Sequence, residues 1–244
     1  MSFPAKRPLV FLDDGGVMND NAIRAPQWRR LLGEVMPQFL GGTPEQWAEA
    51  NRVQFPRLWA DLEPRLAEFG SQADYQREYD LRWLDLMCSY IGIETPQEDR
   101  ARMIADEATR YISMRLHCEY PDAVDAIRSL HRASFELHTA SGTRSWELES
   151  YLQGMGVRDC LGTLFGPDLV DVMKGSPEYY RRIFDKVGID PASAVILDDS
   201  PKACAWAEQA GATTLRIDRT AKVTIPEIMP DFASAAQLLI TRYP

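Results

Sequence analysis

One short segment near the start of the sequence constrains the fold more than any other. Residues 9–12 form the continuous apolar run Leu-Val-Phe-Leu, which ends abruptly in Asp13-Asp14-Gly15-Gly16. A run that is apolar on both faces is typical of a central strand in a parallel sheet, which helices cover on both sides. The run therefore predicts that two aspartates lie at the carboxyl edge of a sheet, where open α/β sheets bind their ligands.

The second half of the chain alternates between strand-like and helix-like segments. We predict strands at 135–140, 164–165, 194–197 and 213–217, and helices at 121–132, 145–153, 177–187 and 202–209. Strands that alternate with helices indicate a parallel sheet with crossover connections. Residues 1–20 and 118–244 are therefore expected to form a Rossmann-like α/β core of three layers.

Residues 21–117 have a different pattern, with apolar residues at helical spacing and no convincing strand. Thr43-Pro44-Glu45 combines an N-cap residue, a proline at the first helical position and an acid in the first turn. Thr95-Pro96-Gln97-Glu98 repeats this signal, and Ser71 is expected to cap a third helix. The pattern predicts an all-helical domain, inserted into the core shortly after its first strand.

Composition narrows the partners that this chain is expected to have. Its net charge is −9, and no cluster of lysine and arginine is long enough to indicate a nucleic-acid-binding face. No apolar run approaches the roughly 18 residues of a membrane span, and residues 1–8 lack the apolar core of a secretory signal. We expect a cytoplasmic monomer or homodimer that binds a small molecule, and neither nucleic acid nor a membrane.

Chemistry-bearing residues stand at four strand ends or helix starts. The four segments are Asp13-Asp14-Gly15-Gly16-Val17, Thr139-Ala140-Ser141-Gly142-Thr143, Lys174-Gly175-Ser176-Pro177 and Asp198-Asp199-Ser200. Together and in this order, they resemble the four motifs of the haloacid dehalogenase-like (HAD) superfamily. Those motifs are a strand followed by Asp-x-Asp-Gly-(Val/Thr), a strand ending in Ser or Thr, a Lys near a helix-starting Pro, and a strand ending in an acidic pair. The helical insertion matches the position of that family's C1-type cap.

The resemblance implies a Mg²⁺-dependent phosphatase in which Asp13 attacks a small phosphorylated substrate and forms an aspartyl-phosphate. A carboxylate repels a phosphate dianion, so cations are needed nearby. Mg²⁺ takes oxygen ligands, and Asp13, Asp199 and the Gly15 carbonyl are expected to bind it with help from Asp198. Lys174 is expected to add a fixed positive charge beside Asp13.

Further residues are candidates for contact with the substrate. Ser141 and the backbone N–H groups of the adjoining turns are expected to hydrogen-bond the phosphoryl oxygens. Asp14 and Gly142 belong to the same motifs, and Arg24 of the inserted segment could meet an anionic substrate. The pattern around Arg24 also fits a solvated helix face.

The sequence departs from the family at Gly15, where the family's phosphatases carry a second aspartate that protonates the leaving group. Asp14, a residue or water of the cap, or a leaving group that needs little protonation could each compensate. A phosphonatase-like route needs a cap lysine, and residues 7–173 contain none. The alternatives that stay open are a 2-haloacid dehalogenase-type hydrolase and a weakly active or non-catalytic phospho-ligand binder.

Overall fold

The computed structural model describes residues 6–66, 68–221 and 228–244. In it the chain divides into two compact units. One unit comprises Met1–Asn21 and Cys118–Pro244, and the other comprises Ala22–His117.

The segment 21–117 is helical. Its helices are α1 (Asn21–Leu40), α2 (Pro44–Leu62), α3 (Gln72–Ile91) and α4 (Glu98–Ser113). Long apolar side chains from all four fill the interior of this unit, among them Met36, Trp47, Leu84 and Ile104. Over the part of the chain that the structure describes, no helix combines the length and hydropathy needed to cross a bilayer.

Two of the three predicted helix caps in this unit are confirmed and one is wrong. Thr43 forms a full capping box, because its hydroxyl accepts from the backbone N–H of Gln46 and the Gln46 side chain accepts from the N–H of Thr43. Ser71 accepts from the N–H of Asp74. Thr95, however, donates its hydroxyl to Asp85 at 2.7 Å. Helix α4 consequently begins at Glu98 without a side-chain cap.

The core unit is built on parallel strands, as predicted. The strands are β1 (Leu9–Leu12), β2 (Leu137–Ala140), β3 (Leu164–Phe165), β4 (Ala194–Asp198), β5 (Thr213–Ile217) and β6 (Ile228–Met229). They form one six-stranded sheet in the order β3-β2-β1-β4-β5-β6, and every neighbouring pair is parallel. Since β1 lies between β2 and β4, the carboxyl ends of these three strands are adjacent.

Helices cover both faces of the sheet and complete the three-layer α/β architecture. They are α5 (Pro121–Arg132), α6 (Ser145–Gly154), α7 (Pro167–Val170), α8 (Pro177–Val187), α9 (Pro201–Gln209) and α10 (Phe232–Arg242). Val10 and Leu12 pack with residues of α5, α6 and α10 on one face. Phe11 packs with residues of α8 and α9 on the other. The alternation along β1 shows why this strand must be apolar on both sides.

Candidate active site

The chain turns sharply after β1, and the carboxylate of Asp14 holds the turn. The backbone N–H groups of Met18 and Asn19 both donate to the carbonyl of Asp14, at 2.9 and 2.8 Å. Its carboxylate accepts from the Asn19 side chain at 2.6 Å and from the Thr143 hydroxyl at 3.2 Å. Asp14 is only 1 % exposed. These bonds fit a side chain that shapes the loop and ties it to the end of β2.

Lys174 bridges the two acidic strand ends. Its ammonium group donates to Asp13 Oδ1 at 2.8 Å, to Asp198 Oδ2 at 2.6 Å and to the carbonyl of Ala140 at 2.8 Å. An ammonium has three donors, so these contacts use all of them. Since Ala140 ends β2, Lys174 links the carboxyl ends of three strands. The structure thus brings together residues that are far apart in the sequence.

Burial and the neighbouring charges together set the pKa values of these groups. Burial raises the pKa of Asp13 to about 7; the charge of Lys174 opposes this, and that of Asp198 adds to it. Burial alone would lower the pKa of Lys174, but the carboxylates of Asp13 and Asp198 outweigh it and hold that pKa well above its usual value. Burial, followed by the charge of Asp198, also raises the pKa of Asp199. The site carries more negative charge than Lys174 offsets.

Three carboxylates lie close enough to share a cation. Ligand oxygens of Asp13, Asp198 and Asp199 lie within 4.8 Å of one another. Asp198 is buried and accepts from the backbone N–H of Ser200 at 2.9 Å, whereas Asp199 is exposed. An all-oxygen, acidic donor set fits a hard divalent cation such as Mg²⁺. Gly15, the fourth predicted ligand, lies in the loop after Asp13 and pairs with Asn19.

The loop after β2 contains Ser141 and Gly142. Ser141 is buried; its hydroxyl accepts from the N–H of Thr143 at 3.1 Å. Its carbonyl accepts from the hydroxyl of Tyr179 at 2.7 Å. Gly142 is exposed, and a Cβ added there would meet no atom within 4 Å. The loop is a tight turn beside the carbonyl that Lys174 binds, and the substrate contacts of both residues stay predictions.

Gly16 allows the first and fourth segments to approach closely. Its φ is +80°, in the left-handed region that favours glycine, and a Cβ there would lie 2.1 Å from Oδ2 of Asp199. Both backbone conformation and space therefore require a glycine at position 16 of the loop after β1.

Arg219 supports the same loop, and the sequence interpretation missed it. Its guanidinium donates to the carbonyls of Gly16 and Val17, at 3.2 and 2.9 Å, and pairs with Asp122 at 2.9 Å. It also lies 3.4 Å from the centre of the Tyr120 ring. Arg219 follows the end of β5 by two positions, so its place at the carboxyl edge was the available signal.

Arg24 lies on α1 in the helical unit, where it is half-buried. Its contact with a substrate stays a prediction. The cysteines form no disulfide: Cys88, Cys118 and Cys204 are buried as free thiols and Cys160 is half-buried.

Comparison with known proteins gives one family and a set of similar folds. Residues 19–211 match the model of haloacid dehalogenase-like hydrolases. No curated protein sequence is similar enough to count as a relative.

The matches to solved structures extend over nearly the whole length of this chain. The HAD-hydrolase YfnB from Bacillus subtilis, solved with bound magnesium, is 18% identical with a TM-score of 0.71, and the match covers 96% of this chain and 99% of that one. The L-2-haloacid dehalogenase from Xanthobacter autotrophicus is 16% identical with a TM-score of 0.68, covering 95% and 98%. The defluorinating L-2-haloacid dehalogenase Rha0230 is 18% identical with a TM-score of 0.66, covering 97% and 99%. At such identities the likeness establishes the fold alone.

Proposed function

This chain belongs to the haloacid dehalogenase-like hydrolases, and on that premise we propose that it is a Mg²⁺-dependent phosphatase of small phosphorylated metabolites, with Asp13 as the nucleophile. One observation carries the proposal. Asp13 and Asp198 both bind the ammonium of Lys174, at 2.8 and 2.6 Å, and both lie within 4.8 Å of Asp199. In this proposal the carboxylate of Asp13 is the nucleophile, Lys174 is the fixed cation beside it, and the three clustered carboxylates would hold a second cation.

The charge balance of this cluster favours a metal-dependent reaction on phosphate. Three carboxylates face one ammonium, and a phosphate dianion would add still more negative charge. When bound, Mg²⁺ supplies positive charge that binds the phosphate and lowers its repulsion from the nucleophile. The all-oxygen donor set of Asp13, Asp198 and Asp199 suits this ion.

The residues of the chain then have distinct tasks in two displacements. A carboxylate oxygen of Asp13 forms a bond to phosphorus, and the leaving group departs with the electrons of its own bond. Lys174 stabilises the ionised Asp13 and the charge that develops beside it. Ser141 and the adjoining backbone N–H groups bind the phosphoryl oxygens. Water then attacks phosphorus, its proton passes to solvent, and Asp13 is released with inorganic phosphate.

A carbon–halogen hydrolase is the second candidate, and Gly15 is the observation that favours it. A halide leaves without a proton, so the absence of an acid two residues after Asp13 would cost such an enzyme little. In that reaction a carboxylate oxygen of Asp13 displaces halide from carbon, and water hydrolyses the ester. The Asp198–Asp199 pair argues for the phosphatase, since a dehalogenation that needs no metal has no use for clustered carboxylates.

The test is a panel of phosphate esters and 2-haloacids, assayed with Mg²⁺ and with a chelator. We expect phosphate release that requires Mg²⁺, and mass spectrometry of the beryllofluoride-treated or substrate-labelled protein is expected to locate the adduct on Asp13. Asp13→Asn should abolish both results, whereas Asp185→Asn, the same change on the exposed face of α8, should leave them unaltered.

Halide release that is independent of metal would replace the phosphatase with the dehalogenase. Tight binding of a phosphorylated ligand without turnover would indicate a binding protein. An adduct on any residue other than Asp13 would reject the proposed nucleophile.

A further inference from the structure

A polar side chain from elsewhere in the loop lies beside Gly15, which has no side chain of its own. We propose that the carboxamide of Asn21 occupies the position of a proton-donating side chain, and that the enzyme therefore hydrolyses phosphates whose leaving oxygen is already a weak base. Acyl, enol and aryl phosphates belong to this class. The inference rests on the proposed function, because it takes Asp13 as the nucleophile.

The geometry at Gly15 is specific. A Cβ built on Gly15 would lie 3.0 Å from both Nδ2 and Oδ1 of Asn21, and 3.4 Å from its Cγ. The end of the Asn21 side chain therefore lies in close contact with the point where a side chain at position 15 would begin. A larger residue at 15 would have to displace this carboxamide. The loop thus presents a polar group beside Gly15 that comes from six positions further along the chain.

The other polar side chains of the loop are less suited to meet a leaving group. Asp14 and Asn19 are 1 % and 2 % exposed and are bonded to each other. Asp20 is half-buried, and after burial its charge is the next cause that raises the pKa of Tyr120. Asn21 is exposed. It combines access to solvent with contact at Gly15.

The chemistry of a carboxamide limits what Asn21 can do for the reaction. Its N–H donates a hydrogen bond but is not acidic enough to give up the proton. The leaving oxygen must therefore depart as an anion with the electron pair of its bond to phosphorus, stabilised by the N–H of Asn21. A phenolate, enolate or carboxylate does so readily, whereas an alkoxide is too basic. The absence of general acid help costs about 10²–10⁴-fold in rate, and this cost falls mainly on alkyl phosphates.

Turnover of 4-nitrophenyl phosphate, phenyl phosphate and an alkyl phosphate tests the inference. In the unaltered enzyme, kcat/KM should fall steeply as the leaving group becomes more basic. Asn21→Asp keeps the shape of the side chain and introduces a carboxyl group. We expect it to raise kcat/KM for the alkyl phosphate about 10²-fold, with little change for 4-nitrophenyl phosphate. If Asn21 had a merely structural role, the substitution would change kcat/KM by a similar factor for all three substrates.

Two matched variants complete the design. Gln38→Glu makes the same kind of change at an exposed position near the end of α1, and it should leave the dependence on the leaving group unaltered. Asp20→Asn removes the neighbouring carboxylate and should also leave it unaltered; a steeper dependence would make Asp20 the proton donor and overturn the proposal. Unfolding temperatures are measured for each variant, so that a loss of fold is separated from a loss of chemistry.

The outcomes separate this inference from the proposed function. If hydrolysis proceeds through Asp13 but Asn21→Asp leaves the dependence on the leaving group unchanged, the role of Asn21 is wrong and the phosphatase stands. If no phosphate is hydrolysed and no adduct forms on Asp13, both fall together.

Discussion

Gly16 combines two demands on a single residue, a φ of +80° and an α-carbon that faces the carboxylate of Asp199. Adding a methyl group would force Asp199 or the loop after β1 to move. Since a shift of about 1 Å in a reacting group can lower a rate 10²-fold, we expect Gly16→Ala to lower kcat/KM by about that factor and to weaken Mg²⁺ binding. Steady-state kinetics and isothermal titration calorimetry measure the two effects.

Gly188 provides the control for backbone strain. Its φ is +73°, and no atom lies within 4 Å of the position of its Cβ. Gly188→Ala therefore costs about 1–2 kcal/mol through the left-handed conformation alone and should leave kcat/KM and metal affinity unchanged. Equal losses of activity in the two alanine variants would show that strain, and not the contact with Asp199, explains the effect.

Lys174 is expected to stabilise the fold as well as the proposed reaction. In Lys174→Met, Asp13 and Asp198 would face each other without their shared ammonium, and the loss of one partner from a buried ion pair costs about 3–5 kcal/mol. We expect the free energy of unfolding to fall by about this amount at pH 8.5, and hydrolysis to be lost. Lys186→Met, on the exposed face of α8, is the control.

The pH dependence of the Lys174→Met defect follows from the carboxyl groups that remain. The folded-state pKa of Asp13, already raised to about 7, should rise further without Lys174. A carboxyl group whose pKa is raised on folding favours the folded state while protonated, and this advantage is lost as the pH rises through the folded pKa. The destabilisation should therefore be smaller at pH 5.5 than at pH 8.5, as measured by urea denaturation. A defect that is larger at the lower pH would contradict this account.

At the scale of helices, two threonine-proline signals that look alike in sequence have different outcomes. Thr43 forms a capping box at the start of α2, whereas the hydroxyl of Thr95 donates to Asp85 within α3. Thr43→Ala should destabilise the helical unit by about 1 kcal/mol, and Thr95→Ala by less than about 0.5 kcal/mol. Chemical denaturation followed by circular dichroism measures both, and equal losses would show that the two threonines are equivalent.

The sequence predicts the bounds of strands and helices well where an apolar pattern ends at a residue that favours a turn or a helix end. Strand β5 and helix α8 have the predicted bounds, Thr213–Ile217 and Pro177–Val187. Gly211 and Asp218 flank the strand, and Pro177 and Gly188 mark the two ends of the helix. Strand β2 begins at Leu137, two residues later than predicted. The helix Phe232–Arg242 was not predicted, although Asp231 accepts from the N–H of Ser234 as an N-cap. Its signal was present in the sequence.

The candidate site was predictable only where it lies in contiguous motifs at strand ends. Asp13, Lys174 and Asp198 were selected that way, and their hydrogen bonds show that they converge. Arg219 was missed because its importance depends on carbonyl groups some 200 residues away in sequence. Asn21 was missed because its proposed role depends on its contact with the side of Gly15 that carries no side chain. No rule of sequence spacing describes such a contact.

For the molecule as a whole, the acidic cluster predicts that a divalent cation stabilises the folded state. A ligand present at 100 times its Kd adds about 2.7 kcal/mol, which in a chain of this size raises Tm by about 5–10 °C. The rise should be larger at pH 8 than at pH 5.5, because the pKa of Asp13 is about 7 and its proton must leave before the oxygen can bind a cation. Differential scanning calorimetry with Mg²⁺ and with a chelator measures this.

Asp199→Asn is the matched variant, since it replaces one of the three clustered carboxylates with a neutral amide at an exposed position. The rise in Tm with Mg²⁺ should shrink in that variant. A rise of the same size in Asp199→Asn, or none in the unaltered protein, would show that the cluster is not a cation site.

The insertion after β1 also affects how the protein is made. Strand β1 leaves the ribosome long before β2 and β4, the neighbours that flank it in the sheet. Domains generally fold as units during synthesis, so the helical unit can fold while the apolar strand waits for its partners. An unpaired apolar strand invites contact with other chains, and β1 is therefore open to such contacts until translation has passed β4.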